Sequence, residues 1–411
     1  MESNELIPHL FRTEYRKIVS VLAKLFGFAQ IEIAEDIASD TFLAAAETWG
    51  LKGVPAQPTA WLYSVAKNKA INYLNRGNHF KNTITPNLKN HEIKVTELNI
   101  DLSAKNINDS QLQMMFAICH PSIPAEAQIG LSLRILCGFG IDEIAEAFLT
   151  NKETINKRLY RAKEKLWQEQ IEITLPPAAE IEQRLQTVLT TIYLLFNEGY
   201  YSVSTNTTVR KELCMEAMRL CYMLVENKAT NKPEVNALIS LMCFHASRFD
   251  ARTDSQGEVI LYNEQDTELW DADLISKGEY FLNCSATGTK LSKYHLEAGI
   301  AYWHTHKEDT PEKWENILQL YNRLIQIEYS PIAALNRTYA LAKANGKQQA
   351  ITEAEKLKLT DNHFYFTLLG ELYLGVDNSK AKHNLIKALA LAKTNADKHT
   401  IQKKLNGINF G

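Results

Sequence analysis

DEIAEAFLTNKETINKRLYRAKEKL, residues 142–166, consists of two helix-like runs joined by a short break, the second carrying six basic side chains. Ile155, Leu159, Ala162 and Leu166 step by 4, 3 and 4 residues, so they share one buried helix face. In a helix-turn-helix, a small residue of the first helix sits where the helices cross, and a branched apolar residue of the second packs back on it. Ala145 and Ile155 hold those places, with Ile144, Phe148 and Leu159 completing a small core. The opposite face then carries Lys152, Glu153, Asn156, Lys157, Tyr160, Arg161 and Lys163. Thr150 is placed to cap the second helix and leave its first amides facing outward. Such amides, with Lys and Arg, suit phosphate contacts, while Asn and Glu address base edges. The usual turn glycine is Leu149 here. An ordinary exposed hairpin with a solvated basic face shares much of this pattern, so the rest of the chain must decide.

Of 411 residues, 45% are apolar and 23% charged, the profile of a soluble globular protein with room for about two to four domains. The net charge of −3 says nothing of nucleic acid, and any basic surface must be local. The six cysteines form no CxxC pair, and Cys214 and Cys221 share a helix face, which points to core thiols rather than disulfides or zinc. Apolar runs such as LTTIYLLF (189–196) and ALISLMCF (237–244) are too short to cross a bilayer. MESNELIPHLFRTEYRK has charges where a signal peptide needs its apolar segment, so a cytoplasmic location is expected.

Glycine and proline are scarce and apolar residues recur at three- and four-residue spacing, so an all-α fold is expected. Leu6, Leu10, Phe11, Ile18, Leu22 and Leu25 mark a first helix. A second runs from about Ile31 to Trp49, and a third follows Pro58 with Trp61, Leu62, Val65 and Leu74 inward. Residues 77–110, with seven Asn and no helical period, read as a linker. Helices resume near Gln111 and continue to about Gln170, and LPPAAE (175–180) marks a second boundary because paired prolines cannot continue a helix. Farther on, FTLLGELY (366–373) followed by Ala381, Leu385 and Ala388 resembles a tetratricopeptide repeat, with residues 332–358 a weaker neighbour.

Two more stretches complete the pattern. AEDIASDTFLAAAETW (34–49) sets Glu35, Asp36, Asp40 and Glu47 around an apolar spine. PTAWLYSVAKNKAINYLNR (58–76) carries Lys67, Asn68, Lys69, Asn72, Tyr73 and Arg76. An acidic helix beside an aromatic-basic one has the polarity to hold one protein partner and one nucleic acid, and aromatics among cations suit unstacked bases.

Together these stretches resemble the extracytoplasmic-function sigma factors of bacterial RNA polymerase. The resemblance rests on Ala34-Glu35-Asp36 through Asp40 and Phe42, on Trp61-Leu62 through Ala66 and Asn68, and on Glu143-Ile144-Ala145, Thr154-Ile155, Arg158-Leu159 and Arg161-Ala162. It spans residues 6–169, about two fifths of the chain. CHPSIPAEAQIGLSLRILCGF (119–139) and YLLFNEGYYSVS (193–204) resemble the subgroup with a long C-terminal extension related to tetratricopeptide repeats.

The resemblance implies sigma region 2 over 1–78, a linker over 79–110, a region 4 helix-turn-helix over 111–172 and a helical extension, regulatory or protein-binding, over 177–411. It implies that Glu35, Asp36, Asp40 and Phe42 bind the polymerase core. Lys67, Asn68, Lys69, Asn72, Tyr73 and Arg76 would engage the −10 element. Lys152, Glu153, Thr154, Asn156, Lys157, Arg158 and Arg161 would engage the −35 element. The expected partners are RNA polymerase core and promoter DNA, with no membrane, and the extension contacts its own sigma domains or an unidentified protein.

No Walker-type phosphate loop, G-x-S-x-G or H-E-x-x-H run is present, so the chain reads as a transcription factor without catalytic residues, cofactor or metal. His304 and His306, with His295 nearby, read as helix-packing surface, and Gly199 of Asn197-Glu198-Gly199-Tyr200 as a helix stop. Two other readings stay open: a one-component helix-turn-helix regulator whose C-terminal half senses a ligand or protein, and a scaffold of helical repeats with vestigial DNA motifs.

Overall fold

The computed structural model describes residues 3–84, 100–200, 207–252, 260 and 262–408. Among the described residues every regular element is helical, as the apolar spacing requires. The chain divides into two compact units, Met1–Thr230 and Asn231–Gly411.

In the first unit α1 (Ser3–Phe26), α2 (Ile31–Lys52) and α3 (Pro58–Ile84) pack on one another. Ile18, Val19, Leu22, Ala34, Ala38, Phe42, Leu62 and Ala66 form their shared interior. Small residues on α2 and α3 let the axes approach, and Pro58 starts α3 at the position where its missing N–H has no intrahelical partner anyway. α4 (Ala104–Ile118) is capped by Ser103, whose Oγ accepts from the Asn106 amide. α5 (Ala125–Leu131) leads through a π turn, Ser132–Leu136, to α6 (Ile141–Ala147) and α7 (Lys152–Gln168). Gly130 lies where α5 meets α7: a Cβ there would stand 3.0 Å from Leu159 Cδ2, a tight contact that the leucine must yield to. α8 (Ala178–Tyr200) and α9 (Thr207–Glu226) form a hairpin that packs on α4, α5 and α6.

Three boundaries differ from the sequence expectation. α3 continues to Ile84 and α4 begins at Ala104, so both ends of the stretch read as linker are helical; residues 85–99 lie outside the described residues. The LPPAAE break separates α7 from α8 in sequence, yet the first compact unit runs on to Thr230. Proline stops a helix whatever its neighbours do, so it marks an element end and not a domain edge. Gly199 is buried in α8, one residue before Tyr200, and residues 201–206 beyond it lie outside the described residues.

In the second unit α10 (Pro233–Ala246) is buried on nearly all sides against α12 (Ala272–Ser285) and α13 (Lys293–Trp303), with the short α11 (Phe249–Arg252) between. α14 (Pro311–Ile327), α15 (Pro331–Asn345), α16 (Lys347–Leu357), α17 (His363–Tyr373), α18 (Asn378–Leu391) and α19 (Asn395–Asn406) follow, each packing on the next. The FTLLGELY pattern is α17. Gly370 allows its close crossing with α18, since a Cβ would meet Leu385 Cγ at 2.6 Å.

Candidate nucleic-acid interface

α6 and α7 make the helix-turn-helix. Ile144, Ala145, Ile155, Leu159, Ala162 and Leu166 are all buried, as their spacing requires. The turn between them puts Leu149 at φ 48, in the left-handed region where glycine is usual, with its side chain exposed. The cap is Asn151 rather than Thr150: its side chain accepts from the Thr154 amide at 2.8 Å, while the Thr150 amide itself bonds back to Ala145 O.

Lys152, Glu153, Thr154, Asn156, Lys157 and Arg161 face solvent; Arg158 is half-buried with its guanidinium 5.5 Å from the Phe148 ring centre. Lys152 pairs with Asp142 at 2.5 Å. Beside this face lies a groove of about 520 Å³, walled by Ser122, Ile123, Pro124 and Ala127 and on the α7 side by Lys157, Arg158, Arg161 and Lys165. An anionic backbone laid along α7 would meet exposed cations and the first amides of the helix.

On α3, Asn68, Asn72, Tyr73 and Arg76 are exposed and Lys67 and Lys69 half-buried. Tyr73 stands edge-on to Phe26, ring centres 5.7 Å apart, with part of its face open. On α2, Asp36 and Asp40 are exposed, and Asp40 lies 3.6 Å from Lys69 of α3. Phe42 is in the core, edge-on to Phe11.

Glu35 is different. It is buried, its Oε2 accepts from Lys163 Nζ of α7 at 2.8 Å, and its Oε1 accepts from Arg134 Nε of the π turn at 3.1 Å. Lys163 therefore faces inward to α2, with its side chain 14% exposed, and leaves the solvent face on which its helical position placed it. Tyr15 lies beneath this pair; burial pushes its hydroxyl up to about 12, against the opposing pull of Arg134.

A second charge contact ties α1 to α9. Arg16 Nη1 donates to Glu216 at 2.6 Å, and Arg12 donates to Glu212 and, at 2.7 Å, to Glu143 of α6. Burial alone would raise the Glu216 carboxyl, but Arg219 and Arg16 outweigh it and hold it below its ordinary value. Arg219 also donates to Leu136 O at 2.7 Å, and Arg184 of α8 to Phe116 O at 2.6 Å. Apart from Glu143, in the Glu143-Ile144-Ala145 run, none of these residues was a sequence candidate. The available signal was complementary spacing: Arg12 and Arg16 are one turn apart, and so are Glu212 and Glu216.

His295 Nδ1 accepts from the Ser292 amide, and burial depresses His304 to about 3. Among the described residues no group of His, Cys, Asp and Glu is placed to hold a metal ion, and no helix is long and apolar enough to cross a membrane.

Residues 10–79 match the family model described as Sigma-70 region 2, and residues 184–286 match one described as a family of unknown function, DUF6596. An uncharacterized protein of Rhizobium meliloti (strain 1021) is 31% identical over 391 residues, covering 93% of this chain and 92% of that protein. No solved structure matches the chain.

Proposed function

Since this chain belongs to the extracytoplasmic-function-like sigma factors that carry a C-terminal extension, we propose that it directs promoter-specific transcription initiation as a subunit of RNA polymerase. The observation that carries this reading is the Sigma-70 region 2 match over residues 10–79, on helices that expose Asp36 and Asp40 on one side and Asn68, Asn72, Tyr73 and Arg76 on the other. Asp36 and Asp40 on α2 dock on the polymerase core. On α3, Asn68, Asn72, Tyr73 and Arg76, flanked by Lys67 and Lys69, engage the −10 element, with Tyr73 stacking on an unpaired base. Region 4 is assigned to α4–α7: Lys152, Thr154, Lys157, Arg158 and Arg161 hold −35 phosphates, and Glu153 and Asn156 address base edges. Polymerase is met in the cytoplasm, and the chemistry of the reaction belongs to the polymerase, not to this chain.

The arrangement of the first unit is, on this reading, a resting one. Glu35 belongs to the acidic motif, yet Lys163 and Arg134 hold it. Reading two promoter elements at once would part α2 and α3 from the π turn and α7, which breaks those ion pairs. The α8–α9 hairpin, the start of the 177–411 extension, supports the closed form through Arg12, Arg16, Glu212 and Glu216. On this reading the extension acts on its own sigma helices.

Run-off transcription with purified core polymerase, this chain and genomic fragments tests the proposal. A promoter-specific transcript that needs both proteins is expected, and Asp36→Lys with Asp40→Lys abolishes it while leaving the helical fold. Tight, specific DNA binding by the chain alone, with no transcript, would instead establish the one-component regulator. Lys163→Met tests the resting state separately: core-polymerase affinity rises several-fold if the closed form competes with docking.

A further inference from the structure

The second unit gathers positive charge that the sigma reading does not use. Arg248, at the end of α10, is only 8% exposed, and Lys313 on α14 is 1% exposed. With Lys307 they surround the ring of Tyr262: the Arg248 guanidinium carbon is 5.5 Å from its centre, Lys307 Nζ 5.8 Å and Lys313 Nζ 5.1 Å. Lys307 also lies 5.9 Å from the Trp270 ring.

Burial holds the Lys313 ammonium below its ordinary value; Asp309 opposes this, while Lys343, Arg248 and Lys307 add to it. Asp309 is already engaged: Oδ1 accepts from Trp314 Nε1 and Oδ2 from Lys343 at 2.6 Å. Like charges crowded in a partly dry site repel strongly, so such a cluster calls for an anion.

Hydrogen-bond counting points the same way. Lys307 donates to Tyr262 O and Gln265 O, and Lys313 to Tyr262 Oη and His306 O. Each ammonium has three N–H donors, so each retains one. Arg248 Nε and Trp270 Nε1 are shielded from solvent and have no partner among the described residues. Buried donors are nearly always satisfied, and these unmet ones lie beside surplus cations.

We propose that Arg248, Lys307, Lys313 and Trp270 form a binding site for a small molecule bearing a phosphate group. Arg248 supplies the planar fork, the two ammoniums supply point charges, and the Trp270 and Tyr262 rings flank the remainder of the ligand. Three unneutralised cations match a dianion such as a phosphate monoester better than a single carboxylate. The burial of Arg248 excludes a nucleic-acid backbone, which cannot enter so closed a site. The inference is independent of the sigma assignment.

The test uses the full chain and inorganic phosphate against chloride at equal ionic strength, read by calorimetric melting. Phosphate should raise the melting of the second unit saturably. Arg248→Met should weaken that response by at least about tenfold, the loss of one charge-assisted hydrogen bond. In chloride the same variant should melt no lower than the parent, because a buried unpaired cation is gone. Lys307→Gln gives a second, milder variant and should also weaken the response. Phosphate that acts no differently from chloride overturns the proposal. So does a response that is linear in concentration and equal in all variants, which is salt exclusion from the surface. An Arg248→Met protein that melts several degrees lower in both anions overturns it too, by making Arg248 structural; if that variant does not fold, an undiminished response in Lys307→Gln decides against the site.

Discussion

The two units hold together by different means. In the first, charge contacts join residues far apart in the chain: Arg12–Glu212 and Arg16–Glu216 span 200 positions, Arg12–Glu143 131, Lys163–Glu35 128 and Arg134–Glu35 99. In the second, consecutive helices bury one continuous apolar row that includes Trp314, Ile317, Leu335, Tyr365, Leu369 and Leu385. Neighbour-on-neighbour packing needs no long loop to close and tolerates change locally. Distant ion pairs respond to salt, to pH and to any partner offering a competing charge. The unit assigned to polymerase and DNA is thus the one whose closure can be reversed by charge.

The largest break in this comparison is a cut. Truncation after Ile173 removes α8 and α9 together, and Leu185, Val188, Leu189, Ile192 and Leu195 are buried largely within that hairpin. What remains loses the smaller surface on α4, α5 and α6 and the partners of Arg12 and Arg16, worth several kcal/mol in all. The truncated chain should melt well below a chain ending at Thr230, by circular dichroism.

A single charge change comes next. Arg16→Met leaves Glu216 buried with Arg219 alone and should lower first-unit stability by about 3 kcal/mol. The more open Lys404–Glu371 pair of the second unit should lose less than about 1 kcal/mol on Lys404→Ala. Urea denaturation of the two variants measures the contrast.

Acid should separate the units as well. His304 is depressed to about 3 by burial, then by Arg248 and Lys313, and His245 lies well below 6.5 for similar reasons. These histidines are neutral when folded and take up protons when unfolded, so second-unit stability falls as pH drops below 6.5. Glu216 is depressed in the folded first unit, so its contribution is lost only as pH falls below its ordinary 4.5. Calorimetry at pH 7.5 and 5.5 should show the second transition move down by several degrees and the first by less, because the first unit's His120, depressed by burial and Arg184, is far less deeply buried than those two histidines.

The smallest effect sits in the helix-turn-helix. Leu149→Gly relieves a left-handed backbone and should stabilise the first unit by about 1 kcal/mol in thermal melts, with DNA contacts untouched.

Much of this was legible. The 4, 3, 4 spacing of Ile155, Leu159, Ala162 and Leu166 named the buried face of α7 residue for residue, and Pro58 gave the start of α3. Helical periodicity separates apolar from polar positions, but it does not say which polar residue meets water and which meets a partner. Lys163 and Glu35 were therefore read as surface, though each is the other's counter-charge from 128 positions away. Asn151 and Thr150 are both good caps, and only the path of the turn chooses between them. The anion-site residues Arg248, in the turn after α10, Lys307, in the segment before α14, and Lys313, on α14, carry no common motif, so topology alone assembles them.

The Lys163–Glu35 pair sets two kinds of fitness against each other. Any substitution that tightens it makes the isolated chain harder to melt and, on the proposed reading, slower to engage polymerase. Selection for a sturdier protein and selection for a more active one therefore pull this pair in opposite directions. Variants recovered from a screen for heat resistance alone should gather around α2 and α7 and should be poor initiators, whereas changes along the helical rows of the second unit escape that conflict.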